Sequence, residues 1–293
     1  MDDERRWEEL NVDCLVNIFG RVGMESLLLD IPFVCKPWHQ ASLNPSCWES
    51  LVFPELTNPN TYDDEYTYSC FDKFSYVYEF DGIHVSVDAF VKFVIDRSKG
   101  RTTLLELSPC ASEDVLKYAA DQCPHLKALS LPSDLIDNES RIIKELIGKW
   151  KHLESLVLGN SDKLEKFLTH CKNLRFLHVE NASVGEKEAK AIVTFLPELK
   201  KLILKGASIN RDEVVTLLHG CKELRPHHLA PLKELVHLDV SNCEGFDGKD
   251  EEIAKLASHI ANFTSEGSYV DDDDYDHEFG PGDWDQFGGY GSD

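Results

Sequence analysis

The 293-residue chain is 42% hydrophobic and carries a net charge of −23, enough apolar material for a substantial core and too acidic to favour nucleic acid, whose phosphates are bound by cations. No apolar run approaches the roughly 20 residues needed to span a bilayer, and the opening MDDERRWEEL is charged where a secretory leader is apolar. The nine cysteines form no CxxC pair, which predicts reduced thiols in a protein of the nucleus and/or cytoplasm rather than a disulfide framework or zinc ribbon.

The first predicted element is an amphipathic helix. Leu10, Cys14, Leu15, Ile18, Phe19 and Val22 share one helical face, and Gly23 breaks it. A second apolar segment, LLLDIPFVCKPWHQAS, and a third, NPSCWESLVF, follow, so three short helices are expected. So small a core leaves apolar side chains exposed, ready to anchor on a partner. Three groups of residues carry a likeness: the L-x-x-x-x-L-x-x-I-F opening (Leu10, Leu15, Ile18, Phe19), the V-C-K-x-W centre (Val34, Cys35, Lys36, Trp38) and the closing P-x-x-W-x-x-L (Pro45, Trp48, Leu51). The segment resembles an F-box. It departs from that pattern at Asn11, where F-boxes usually have proline, although Asn is itself a good N-cap. The resemblance implies docking on the Skp1-type adaptor of a cullin–RING ubiquitin ligase, through Leu10, Leu15, Ile18, Phe19, Val34, Cys35, Trp38 and Trp48.

Residues 54–70 read as an acidic, aromatic surface linker. Residues 71–100, rich in aromatic and β-branched side chains, predict a strand and then a helix around Val87–Arg97, an irregular first repeat capping an open edge. From there the chain repeats itself. CPHLKALSL, WKHLESLVL, CKNLRFLHV and LPELKKLIL share L-x-x-L-x-L/V, with a weaker copy in TTLLELS and a last one in VHLDVSNC. Alternate apolar residues make one buried face of a short strand. Helix-patterned stretches lie between, among them SEDVLKYAADQ with Ser112 as its N-cap candidate. One strand and one helix cannot bury their own faces, but stacked units can, as a curved solenoid. This resembles leucine-rich repeats of the longer type, with Cys123, Cys171, Cys221 and Cys243 near unit ends as small buried hydrophobes. The whole order resembles plant F-box/LRR-repeat proteins. The expected fold is α+β: a three-helix F-box (1–53), the linker, an α/β repeat solenoid (71–264) and a disordered acidic tail (265–293).

Alternation along each strand turns the residues between the leucines outward. Ser155, Val157, Phe176, His178, Glu180, Lys201, Ile203, Lys205, His237 and Asp239 are therefore the candidate substrate-facing set. Their mix of apolar side chains and both charge signs suits a protein partner. The last repeat spacing is 36 residues where the others run from 21 to 27, and removing Arg225–Leu235 restores the period. KEL stands on both sides, as a duplicated or alternatively spliced insertion leaves it, so 225–235 is expected to be an exposed loop carrying His227 and His228. The paired histidines then form no metal or nucleophile site with the buried cysteines. No GxSxG, HExxH or P-loop is present, and neither catalysis nor a cofactor is expected. The resemblance implies the substrate-recognition subunit of an SCF-type E3 ligase, joined through the adaptor to cullin and holding an unidentified target protein, with no direct nucleic acid or membrane partner. A repeat scaffold acting outside a ligase is the alternative.

Overall fold

The computed structural model describes residues 7, 10–54, 70–78, 86–132, 142–159, 164–220 and 235–270. The middle of the expected linker, Cys221, the insert up to Glu234 and the acidic stretch from Asp271 lie outside the described residues.

The N-terminal helices are shorter and more numerous than expected. α1 (Val12–Phe19) is capped by Asn11, whose side chain accepts from Asp13 N at 2.9 Å. Gly23, at φ 94°, turns the chain where a side chain would be strained. The second apolar segment then forms three helices: α2 (Met24–Leu29), α3 (Ile31–Val34) and α4 (Lys36–Ser42). Pro32 and Pro37 explain the division. Proline is tolerated in a first turn but blocks a helix from running through it. The third segment is a 3-10 turn, Pro45–Trp48, that runs into a strand, β1 (Ser50–Val52).

β1 is the first strand of the solenoid sheet, so sheet formation starts before the boundary expected at residue 53. Eight strands pair in parallel, in chain order: β1, β2 (Leu104–Glu106), β3 (Ala128–Leu131), β4 (Ser155–Leu158), β5 (Phe176–Val179), β7 (Lys201–Ile203), β9 (His237–Asp239) and β10 (Asn262–Thr264). One row of the register is Leu51, Leu105, Leu129, Leu156, Leu177, Leu202, Leu238, Phe263, all but the last buried. The carbonyls of Glu49, Thr103, Lys127, Glu154, Arg175 and Lys200 each accept two successive N–H groups of the next unit, at 2.8–3.1 Å. A second ladder, β6 (Ser183–Val184) with β8 (Ser208–Ile209), continues through bridges to Glu244 and Tyr269. Residues 265–270 therefore belong to the last unit of the fold rather than to the tail.

Helices close the other side: α6 (Val87–Arg97), α7 (Glu113–Gln122), α8 (Ile142–Leu146), α9 (Glu165–Leu168), α10 (Glu186–Phe195), α11 (Arg211–Gly220) and α12 (Glu251–Ala257). The strand expected near residue 71 is a helix, α5 (Cys70–Val77). Its Phe74 packs 4.8 Å from the Phe90 ring, Phe53 reaches the same ring at 6.2 Å, and Tyr78 donates to Leu28 O at 3.1 Å. The N-terminal helices and the solenoid thus share one continuous core.

Leu235 corrects the boundaries of the insert. It is 6% exposed and occupies the first leucine position of its repeat, as Leu153, Leu174 and Leu199 do in theirs. The second KEL copy supplies the core leucine. Because the two copies are identical, removing 222–232 restores the same sequence as removing 225–235.

Candidate interaction surfaces

Two faces carry side chains that the core does not use. On the N-terminal domain, Leu15, Phe19 and Trp48 lie inside, at 1–2% exposure. The Trp48 indole donates to Ser42 O at 2.8 Å, and Phe19 meets Trp38 edge-on at 5.3 Å. Leu10, Cys35 and Trp38 are half-buried. Of the eight residues expected to face an adaptor, only Ile18 (42%) and Val34 (59%) are plainly exposed. They have company that the sequence reading left out: Val12, Phe33 and Leu43 are exposed too, and Val22, placed on the helix's apolar face, points outward. The six positions read as one apolar face divide in two. On α1, Cys14 and Ile18 lie about 100° round from Leu15 and Phe19, and Val22 follows in the turn after the helix. An open cleft lined by Val22, Met24, Leu29, Val52, Tyr76 and Val77 runs between α2 and α5.

The sheet presents the second face. Two adjacent register rows gather eight of the ten residues expected there. One row runs Ser155, Phe176, Lys201, His237, and the other Val157, His178, Ile203, Asp239, all half-buried. Glu180 and Lys205 lie just past the strand ends and are exposed. Phe176 and Ile203 are less open than alternation alone suggests. The Lys201 ammonium lies 5.3 Å from the Phe176 ring centroid, and the His178 ring 6.4 Å from it. His178 Nε2 also lies 3.5 Å from Glu180 Oε1.

Among the described residues the cysteines and histidines do not converge. Cys123, Cys171 and Cys243 are interior, and burial pushes their thiols up to about 11, about 12 and about 11. A protonated thiol is neither a nucleophile nor a metal ligand, and the Cys243 thiol instead donates to Leu204 O at 3.1 Å. His237 faces outward from the sheet. Among the described residues no group of three or more His, Cys, Asp or Glu is placed to hold a metal ion, and no helix is long and apolar enough to cross a membrane.

Comparison with known proteins decides what this architecture is. No family model matches the chain. An F-box/LRR-repeat protein of Arabidopsis thaliana is 30% identical over 232 residues, covering 75% of this chain and 70% of the relative. The chain belongs to the F-box/LRR-repeat family. Two further Arabidopsis thaliana proteins agree. The putative F-box/LRR-repeat protein 23 is 26% identical, covering 82% of this chain and 48% of its own length. The F-box protein FBW2 is 24% identical, with 74% and 65% covered. Among solved structures, an internalin from Listeria monocytogenes covers 61% of this chain and 52% of its own at 14% identity, with a TM-score of 0.36, too loose a likeness to argue from. In this F-box/LRR-repeat protein the F-box pattern falls on α1 to β1, and the repeat pattern on β2 to β9.

Proposed function

We propose that this chain is the target-recognition subunit of an SCF-type E3 ubiquitin ligase. Its N-terminal domain docks a Skp1-like adaptor, which joins it to cullin, and the outward sheet face holds a protein to be ubiquitinated. The supporting observation is the set of exposed apolar side chains on the N-terminal helices, Ile18 and Val34 foremost. Monomeric surfaces seldom expose several large apolar side chains on one small domain without a partner for them. Catalysis belongs to other subunits in this reading. The chain supplies proximity, raising the effective concentration of target lysines near the charged E2. It needs no cofactor and contacts neither nucleic acid nor membrane, and it works in the nucleus and/or cytoplasm.

Burial dictates how to test docking. Leu15, Phe19 and Trp48 are interior, so truncating them tests stability instead. Ile18→Glu with Val34→Glu places charge on exposed positions and leaves the core intact. Co-purification with a recombinant Skp1-like adaptor is expected for the wild type and lost for the double variant, with unchanged circular dichroism. An adaptor that ignores the wild type, or binds both forms equally, refutes the reading.

A further inference from the structure

The net charge of −23 hides a local reversal. Lys127, Glu154, Arg175 and Lys200 are the residues immediately before β3, β4, β5 and β7, and so form one row along the N-terminal edge of the sheet. Lys201 adjoins that row on the sheet face, and Lys151 and Lys172 lie in the turns leading into β4 and β5. Neighbouring strands are about 4.8 Å apart, so the row spans roughly 14 Å. Its single carboxylate, Glu154, lies 3.9 Å from Arg175. The opposite edge of the same sheet is mainly acidic, with Glu106, Glu180 and Glu266 exposed beside a lone Lys205.

Helix ends do not account for the basic row. Cations often sit in the last turn of a helix, where they complement its dipole, but that effect fades within a turn. Lys127 follows α7, which ends at Gln122, and Lys200 follows α10, which ends at Phe195. Both are past the last turn and at the mouth of a strand.

We propose that the sheet face takes an acidic peptide segment of a target protein, one bearing an aromatic or aliphatic side chain. The segment's carboxylates meet Lys127, Arg175 and Lys200, and its apolar side chain lies against Phe176 and Ile203 between the two edges. This deepens the target-binding reading and rests on it. Charge complementarity selects the occupant: one short cationic row interrupted by Glu154 suits a few carboxylates. A nucleic-acid strand calls for cations along both sides of its track, and the far edge here carries one lysine, Lys205, among three glutamates.

The test uses the full chain, without adaptor, and fluorescence anisotropy against a fluorescein-labelled random copolymer of glutamate and tyrosine. A lysine–tyrosine copolymer and an oligouridine serve as comparison probes. The glutamate–tyrosine probe is expected to bind best, and to weaken as salt rises. Lys127→Glu, Arg175→Glu and Lys200→Glu together are expected to weaken it by about tenfold or more. The corresponding triple glutamine variant, a gentler change, is expected to fall between, and it decides the matter if the reversal disturbs the fold. Ile18→Glu with Val34→Glu is expected to leave peptide binding unchanged, so failure of adaptor docking is distinguishable from failure of this proposal. No binding, tighter binding of oligouridine or the lysine copolymer, or binding indifferent to the glutamine and glutamate triples overturns it.

Discussion

Asn181, Gly206, Asn242 and Gly267 lie two or three residues past the ends of β5, β7, β9 and β10, and all have left-handed backbone, at φ 50°, 69°, 54° and 78°. They stack through the backbone: Asn181 N donates to Lys205 O, Gly206 N to Ser241 O and Asn242 N to Glu266 O. Only Gly and Asn adopt this conformation readily, and crowding explains why they alternate. A Cβ on Gly206 would sit 2.5 Å from Asn181 Oδ1. Gly206→Ala is therefore expected to lose about 1–3 kcal/mol of stability, from backbone strain and this clash together. Urea denaturation measures it, and the loss should shrink when Asn181→Gly removes the obstructing side chain. An equal loss in both backgrounds would show that crowding is not the cause. The leucine positions were legible because they recur within nine residues. The Asn/Gly alternation recurs only from unit to unit and becomes visible once strands are stacked. The residues expected to face an adaptor could not be sorted in advance for a related reason: the F-box pattern gives positions, not whether a side chain such as Leu15 or Ile18 points in or out.

Between elements, packing outweighed local preference. FDKFSYVY has the aromatic content of a strand, yet it folds as α5 because Cys70 and Phe74, four residues apart, meet the core together. The amphipathic helices α6, α7, α10 and α11 were legible from their apolar spacing, and Ser112 caps α7 as expected, accepting from Val115 N at 3.4 Å. One contact between helices was not legible. Glu165 of α9 comes against Glu188 of α10, and burial first, then the hydrogen bond with Glu188, raises its pKa above the usual 4.5. Its Oε2 is buried without a partner. A raised folded-state pKa means the fold prefers the protonated acid. The stabilisation is full below the unfolded value and is lost as pH rises through the folded one. At neutral pH the ionised Glu165 is thus a burden, which Glu165→Gln removes. The variant is expected to melt higher than the wild type at pH 7, and the gap should close as pH falls towards 4.5. Thermal melts across that range check it, and a gap that widens on acidification contradicts the assignment.

At the scale of the molecule, two unrelated patterns, the F-box pattern and the leucine repeat, were each legible in the sequence. Their union was not, because the shared strand is three residues long and reads as the end of the F-box motif. β1 gives the solenoid its first strand. The Glu49 carbonyl accepts from Thr103 N and Leu104 N, Leu51 is fully buried in the leucine row, and Phe53 packs on Phe90. Without β1, the polar groups of β2 become an open edge, and open edges pair with other chains. A chain starting at residue 54, the boundary suggested by sequence, is expected to aggregate or melt well below one starting at residue 45, which keeps Trp48, Leu51 and Phe53. Size-exclusion chromatography and thermal melts of the two compare them directly. If both are monomeric with the same melting temperature, β1 is dispensable and the F-box is a separate module. If only the longer one is well behaved, the N-terminal helices and the sheet are held together as one unit, the arrangement that the proposed ligase role requires of a subunit that must aim its target.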